Sequence, residues 1–389
     1  MKLKTIQSKV LAALVVCLVL GTGCVIELMN YFTTENSKAL SVQVVASSQK
    51  LFAILEAREV SKMTAVSDTL LTNPQIPDAF AARDRARLLA LTAPLYPKLK
   101  AEGITNWMFH TSNPGMAVFL RLHNPAKFGD QLNRFIDKQV VSSNQPVTGN
   151  ELAKAGFALR IIRPVSDAKG ATVGYLEFGE ELGQFIHVMK AQTGNEYALL
   201  LNKKFVNRQF WADSSAMLKR RDTWNDNNSS VVADNTTSND SILQFDGDLA
   251  AVPAEGQSLG AFKSGGAVFV RGIFPIHDAA GNSVGAMFVV RDISAEYASI
   301  RKTQNFLLVL TFVSLSVGIL SLLFLLDRFV FRRLRHIILC ATRLVGGDFD
   351  TSIKIDAEDE VGKLEQLFEQ FRQVFVNILK QFTELEVTK

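Results

Sequence analysis

Two stretches of this chain match in register 111 positions apart. Phe157–Phe178 reads F-A-L-R-I-I-R-P-V-S-D-A-K-G-A-T-V-G-Y-L-E-F; Val268–Val289 reads V-F-V-R-G-I-F-P-I-H-D-A-A-G-N-S-V-G-A-M-F-V. Arg160/Arg271, Pro164/Pro275, Asp167/Asp278, Gly170/Gly281, Val173/Val284 and Gly174/Gly285 coincide without a gap. Each copy predicts two strands flanking an Asp-x-x-Gly turn. The period is too long for a solenoid and suits two tandem copies of one small α/β module.

Two apolar runs bracket the repeat. Val10–Ile26 follows Lys2, Lys4 and Lys9, and Phe306–Leu326 carries no charge and precedes Arg328, Arg332, Arg333 and Arg335. The second is long enough to cross ~30 Å of hydrocarbon. The first could equally be a cleaved signal peptide. L-G-T-G-C ending at Cys24 resembles a lipoprotein cleavage box, although Gly21 stands where an aliphatic residue belongs. Basic residues before the first run and after the second predict both termini inside, with Arg301 and Lys302 weakening the asymmetry. The expected layout is a cytoplasmic N-terminus (1–9), a first span (10–32), a periplasmic region (33–302) and a second span (303–326). That makes a multi-pass inner-membrane protein. Its three cysteines lie in or beyond the apolar runs, so no disulfide can form inside the external region. A net charge of +4 implies no nucleic-acid partner.

Outside, apolar residues at helical spacing from Thr33 to Leu71 predict a long helix continuing the first span, ended by Asn73-Pro74. A second helix is expected over Asp78–Ala101, with Pro94 and Pro97 breaking its last turns. Ile104–His110 and Ala117–Pro125 predict strands joined by a turn at Asn113-Pro114-Gly115. Alternation would put Phe119, Arg121 and His123 on one face and Val118, Leu120 and Leu122 on the other. That first face is either an anion-binding wall or a sheet face meeting water. Repeated residues such as Arg160 and Asp167 suggest scaffold. Arg163 and Glu177, which align with Phe274 and Phe288, are polar only in the first copy. With Trp107, Phe109, Arg121 and His123 they form the candidate ligand set. The proximal copy should begin near Gly194 with a strand at Glu196–Leu201. Asn225–Asp240 reads as a polar loop, either a binding lid or a solvated insertion.

The run F-H-T-S-N-P-G-M-A-V-F-L-R-L-H-N-P-A-K-F-G-D-Q-L, with G-N-E-L-A-K-A-G-F-A-L-R-I-I-R-P-V-S-D-A-K-G-A-T-V-G-Y-L-E-F-G, resembles the double Cache sensor domains of two-component kinases, chemoreceptors and diguanylate cyclases. The likeness is strongest from Gly103 to Gly179 and continues through Ile293. It implies an α+β fold with a long N-terminal helix and two PAS-like modules, a distal one at about 72–190 and a proximal one at about 191–294. It also implies that the distal module holds the ligand.

After the second apolar run, Val330, Leu334, Ile337, Ala341 and Leu344 repeat in steps of four and three. Val361, Leu364, Phe368, Phe371, Phe375, Ile378, Phe382 and Leu385 form a second series. These are a/d seams of two coiled-coil helices, expected to pair as a parallel dimer. Gly347, Phe349, Ile353 and Ile355 resemble the connector of a HAMP domain, and Asp359-Glu360-Val361-Gly362 its second-helix start. Arg333 stands where that family has a proline. The expected HAMP region is 327–380, followed by a short coiled-coil end (381–389).

Neither R-L-V-G-G-D-F-D, between the helices, nor His336, on the first helix, is read as catalytic. The scattered His110, His123, His187 and His277 show no nucleophile or metal spacing. The expectation is a receptor without catalytic residues, metal or cofactor, sensing a small ligand such as an organic acid or other anion. Its output, a chemoreceptor, kinase or cyclase module, would lie on another chain or be missing from this one. The alternative is an adaptor that heterodimerises with full-length receptors through its HAMP helices.

Overall fold

The computed structural model describes residues 6–112, 115–153, 156–217, 220–355 and 358–387. Residues 113 and 114 of the predicted Asn113-Pro114-Gly115 turn lie outside them. The chain divides into two compact units, Thr33–Ala298 and Met1–Phe32 with Ser299–Lys389.

A single helix, α1 (Ile6–Leu71), covers the first apolar run and the predicted external helix, and it ends just before Asn73-Pro74. The expected second helix is instead three short ones: α2 (Gln75–Ala81), α3 (Arg85–Thr92) and α4 (Tyr96–Ala101). Arg83 takes a left-handed φ of 55°, which no α-helix accommodates. Asp84 then caps α3 by accepting the Arg87 N–H at 2.9 Å.

The distal sheet comprises β1 (Asn106–Thr111), β2 (Ala117–Arg121), β3 (Val147–Ala153), β4 (Gly156–Ser166) and β5 (Thr172–Glu181), in the order β2-β1-β5-β4-β3. Helix α5 (Phe135–Ser143) lies between β2 and β3 in sequence, and α6 (Gly183–Thr193) leads to the second module. There β6 (Glu196–Asn202), α7 (Arg208–Met217), β7 (Ser230–Asn235), β8 (Gln257–Ser264), β9 (Ala267–His277) and β10 (Ser283–Asp292) give a sheet ordered β7-β6-β10-β9-β8. The two orders are the same arrangement. The repeat is therefore structural: β4 and β9, like β5 and β10, have equal lengths and keep the 111-residue offset. In the two turns Asp167 and Asp278 accept equivalent amides, from Lys169 and Ala171 in one and Ala280 and Asn282 in the other.

The predicted polar loop 225–240 contains β7. Val231 and Val232 are both buried there, so two β-branched residues suffice to pair this edge with β6 despite their Asn, Ser and Asp flanks.

Each sheet has two covered faces. One core cluster joins Phe52, Leu55 and Met63 of α1 to Trp107, Phe109 and Phe178 of the distal sheet and to Tyr197, Phe274 and Met287 of the proximal one. α1 thus packs on one face of both sheets. The opposite face carries Ile136 and Val140 of α5 with Ile162 and Tyr175 in the distal module, and Leu243, Phe245 and Phe288 in the proximal module.

In the other unit, α8 (Ser294–Leu326) carries the second apolar run. Both α1 and α8 contain a window long and apolar enough to cross a membrane. A π-helical turn at Asp327–Phe331 precedes α9 (Arg332–Val345), and α10 (Glu360–Val387) follows a connector. Of the connector residues, Gly347 has φ 91°, Ile353 is buried with Ile337 and Cys340, and Ile355 is exposed. Phe349 packs against Phe375, its ring centroid 6.1 Å away. Asp359 accepts the Gly362 N–H at 2.7 Å, and Glu360 opens α10. Arg333 ties α9 to α10 through bidentate bonds to Glu365 (3.0 and 2.6 Å) and contacts to Asp359 (2.9 and 2.8 Å).

Candidate ligand-binding site

The register across the distal sheet sorts the polar residues by face. Met108 pairs with Arg121 on one side and Glu177 on the other, and Glu177 pairs in turn with Ile162. These four share the face opposite α1. Trp107, Phe109, Phe178, Leu176 and Arg163 alternate with them and face the helix.

Glu177 is the centre of the outer face. Its side chain has no exposed surface. His110 Nε2 lies 2.8 Å from Oε2, and Arg134 contacts both oxygens at 3.1 and 2.5 Å. Arg160 Nη1 donates to Oε1. Burial alone would raise this carboxyl; the Arg134 and Arg160 charges and the His110 bond outweigh it and hold the pKa well below the usual carboxylate range. Glu177 is ionised, so His110 Nε2 carries the donated hydrogen.

Arg134 sits at the start of α5 because Asp137 accepts both its backbone N–H (2.9 Å) and its guanidinium (2.9 and 2.7 Å). Desolvation opposes its charge, yet Glu177 and Asp137 push its pKa up. Glu151 on β3 caps the same helix by accepting the Ile136 N–H at 3.1 Å, and burial raises its carboxyl. Two guanidiniums are thereby locked in place by carboxylates, which fixes their orientation before any ligand arrives.

Only two of the six candidate residues, Arg121 and Glu177, share this site. Arg121 is bidentate to Asp130, both contacts at 2.6 Å, and also donates to the Lys127 carbonyl at 3.0 Å. His123 follows the end of β2 with an exposed side chain; partial loss of solvation, then the Arg121 charge, lowers its pKa. Trp107 and Phe109 are core residues. Trp107 meets Phe178 at 5.4 Å and Phe109 meets Phe80 at 5.3 Å between ring centroids. Arg163 reaches α1, bonding Ser67 at 2.8 Å and pairing with Asp68. Phe119 leaves the Arg121 face because a bulge opposite Phe109/His110 adds one residue to β2, and its ring packs on Phe80.

Sequence reasoning missed His110, Arg134, Arg160, Asp137 and Glu151. His110, a polar residue that closes the apolar run Trp107–Phe109 two positions from Met108, was a legible signal. Arg160 was assigned to the scaffold because Arg271 repeats it. Arg271 instead lies over the Phe262 ring at 4.0 Å, with no carboxylate across the sheet because Phe288 stands there.

Residues 41–297, about two thirds of the chain, match the family described as the double sensory domain of two-component sensor kinases (dCache_3). The chain belongs to this family. Its double Cache region carries an apolar N-terminal helix, the arrangement of a membrane-anchored sensory receptor. No curated protein sequence matches the chain. Among solved structures, this double Cache chain is similar to the periplasmic domain of Vibrio cholerae LuxQ, at 11% identity and TM-score 0.33, covering 67% of this chain and 99% of that one. It is similar to the sensor domain of the V. cholerae histidine kinase DctB (8%, 0.38, 66% and 98%). It is also similar to the ligand-binding domain of the Pseudomonas fluorescens chemoreceptor CtaA, solved with L-isoleucine (14%, 0.31, 66% and 98%).

Proposed function

We propose that this chain is a multi-pass transmembrane receptor, both termini cytoplasmic, whose distal Cache module binds a small charged ligand on the face of Glu177. The observation that carries this reading is the buried hub of Glu177 with Arg134, Arg160 and His110. The proximal module has no counterpart, since Phe288 fills the matching position beside Phe245 at 6.3 Å. Pre-oriented guanidiniums favour a ligand carboxylate or another anion. An organic acid or an amino acid meets that requirement. No nucleophile–base pair is part of the proposal, so the chain acts as a binder and not as a catalyst.

The signal would leave through α8, which starts two residues after β10. Helices α9 and α10 then act as a HAMP unit with alternative packings, relaying to an output module. The glycine at 347, the Asp359–Gly362 contact and the Arg333–Glu365 link support that assignment.

The test is a thermal-shift screen of the full chain in detergent against organic acids, amino acids and inorganic anions. The expected result is stabilisation by at least one carboxylate, reduced in Arg134→Lys. Absence of stabilisation by every compound, or stabilisation unchanged in Arg134→Lys, would sink the proposal.

A further inference from the structure

A second cleft, of about 360 Å³, lies where α1, the edge strand β3 and the β9–β10 turn meet. It exists because Gly149 lacks a Cβ: one built there would stand 2.7 Å from the Ala279 Cβ. The turn can therefore dock on β3, with the Ala279 N–H donating to the Asn150 carbonyl at 2.8 Å. Phe52 from α1 and Phe274 from β9 line it, their ring centroids 6.1 Å apart.

The polar lining is unbalanced. Asn150 Nδ2 donates to Glu56 Oε1 at 2.6 Å. A carboxylate accepts only, so this contact fixes the amide orientation and leaves Asn150 Oδ1 as the free end. That oxygen is buried without a partner, on a residue 8% exposed. Glu56 has no ion-pair partner among the described residues, and burial raises its carboxyl. No Lys or Arg lines the cleft, and its one histidine, His277, is exposed at the end of β9. The other lining carboxylate, Asp278, is engaged by the amides of its own turn. A buried acceptor and a nearby uncompensated carboxylate, above aromatic rings, call for a donor-only positive group. No group of three metal-binding side chains occurs among the described residues, which disfavours a metal ion.

We propose that this cleft is a second binding site, taking a small primary ammonium compound with an apolar body. Its ammonium would donate to Glu56 and Asn150 Oδ1, and its apolar part would rest on Phe52 and Phe274. Such a ligand would bridge α1, the distal sheet and the proximal turn, and so act on both modules independently of the Glu177 site.

The test is titration calorimetry of the full chain in detergent with phenethylamine, and with the neutral 2-phenylethanol as control. Glu56→Gln keeps the acceptor for Asn150 and removes only the charge. Ala53→Trp fills the cleft from an exposed helix position. Saturable amine binding is expected, weakened about tenfold or more by Glu56→Gln, abolished by Ala53→Trp, unchanged in His123→Ala, and not shared by the alcohol. No saturable binding, affinity undiminished by Glu56→Gln, binding retained in Ala53→Trp, binding lost in His123→Ala, or equal binding of the alcohol overturns the proposal.

Discussion

Arg160 and Glu177 form a buried ion pair across neighbouring strands, whereas Arg271 and Phe288, at the same places in the repeat, form none. The distal module has therefore exchanged part of its outer core for charge. Removing one partner strands the other: Glu177→Gln leaves two buried guanidiniums without their shared counter-ion. The expected cost is about 3–5 kcal/mol of unfolding free energy. Denaturant unfolding of the full chain checks it, and a loss below about 1 kcal/mol would mean the hub is not structurally coupled.

The sequence made the architecture legible because a duplicated hairpin needs the same turn chemistry twice. Asp167 and Gly170 recur as Asp278 and Gly281 for a reason visible in their hydrogen bonds. The site was less legible. Strand alternation puts Trp107 and Phe109 on one face and Met108 and His110 on the other, but nothing in the pattern says which face α1 covers. The aromatic residues were chosen, and α1 covers them. A repeated residue is also not bound to a repeated role: Arg160 kept its position, and its partner across the sheet changed. Arg134, which reaches Glu177 from 43 positions away, follows from the tertiary fold alone.

Acid–base behaviour should single out a contact between α1 and the distal sheet. Burial, followed by the hydrogen bond to Glu59, pushes the Glu180 carboxyl up to about 7. Glu59 moves the other way: although burial raises it, bonds from Lys62, Arg58 and Glu180 bring its pKa below the usual value. Between about 4.5 and about 7 the folded protein keeps a proton on Glu180 that the unfolded chain has released. Its contribution to stability thus falls as pH rises through this window, and levels off above it. Glu180→Gln should have little effect on Tm at pH 5 and should raise Tm at pH 8. An equal shift at both pH values would exclude titration of Glu180 as the cause.

The repeated glycines are not equivalent. An added Cβ at Gly174 would lie 2.4 Å from the His110 carbonyl oxygen and 2.5 Å from the Phe80 ring, and φ there is 157°. At Gly285 it would lie 2.5 Å from the Leu200 carbonyl. Gly170 and Gly281 face open space and need only their positive φ. Gly170→Ala and Gly281→Ala should each cost about 1–2 kcal/mol from backbone strain. Gly174→Ala adds overpacking to strain and should cost about 3 kcal/mol or more. Comparing the denaturation midpoints of these variants is the check; equal losses at positions 170 and 174 would refute the steric account.

The apolar seam of α10 stays largely uncovered in the single chain. Ile337, Cys340 and Leu344 of α9 are buried, but Leu364, Phe371, Phe375 and Ile378 each remain at least 40% exposed. Fully burying side chains of this size is worth roughly 1.5–3 kcal/mol each, so covering the seam with a second α10 would be strongly favourable. Their spacing in steps of seven and three to four is that of a coiled-coil seam, and in the parallel pair expected here equivalent positions of two chains face each other. Replacing Cys17, Cys24 and Cys340 by Ala and introducing Ile378→Cys should therefore give a covalent dimer on mild oxidation. Phe371→Asp places two like charges in the same seam and should reduce that cross-link at least several-fold. The dimer reading fails if the cross-link does not form, or if it forms equally well with Phe371→Asp.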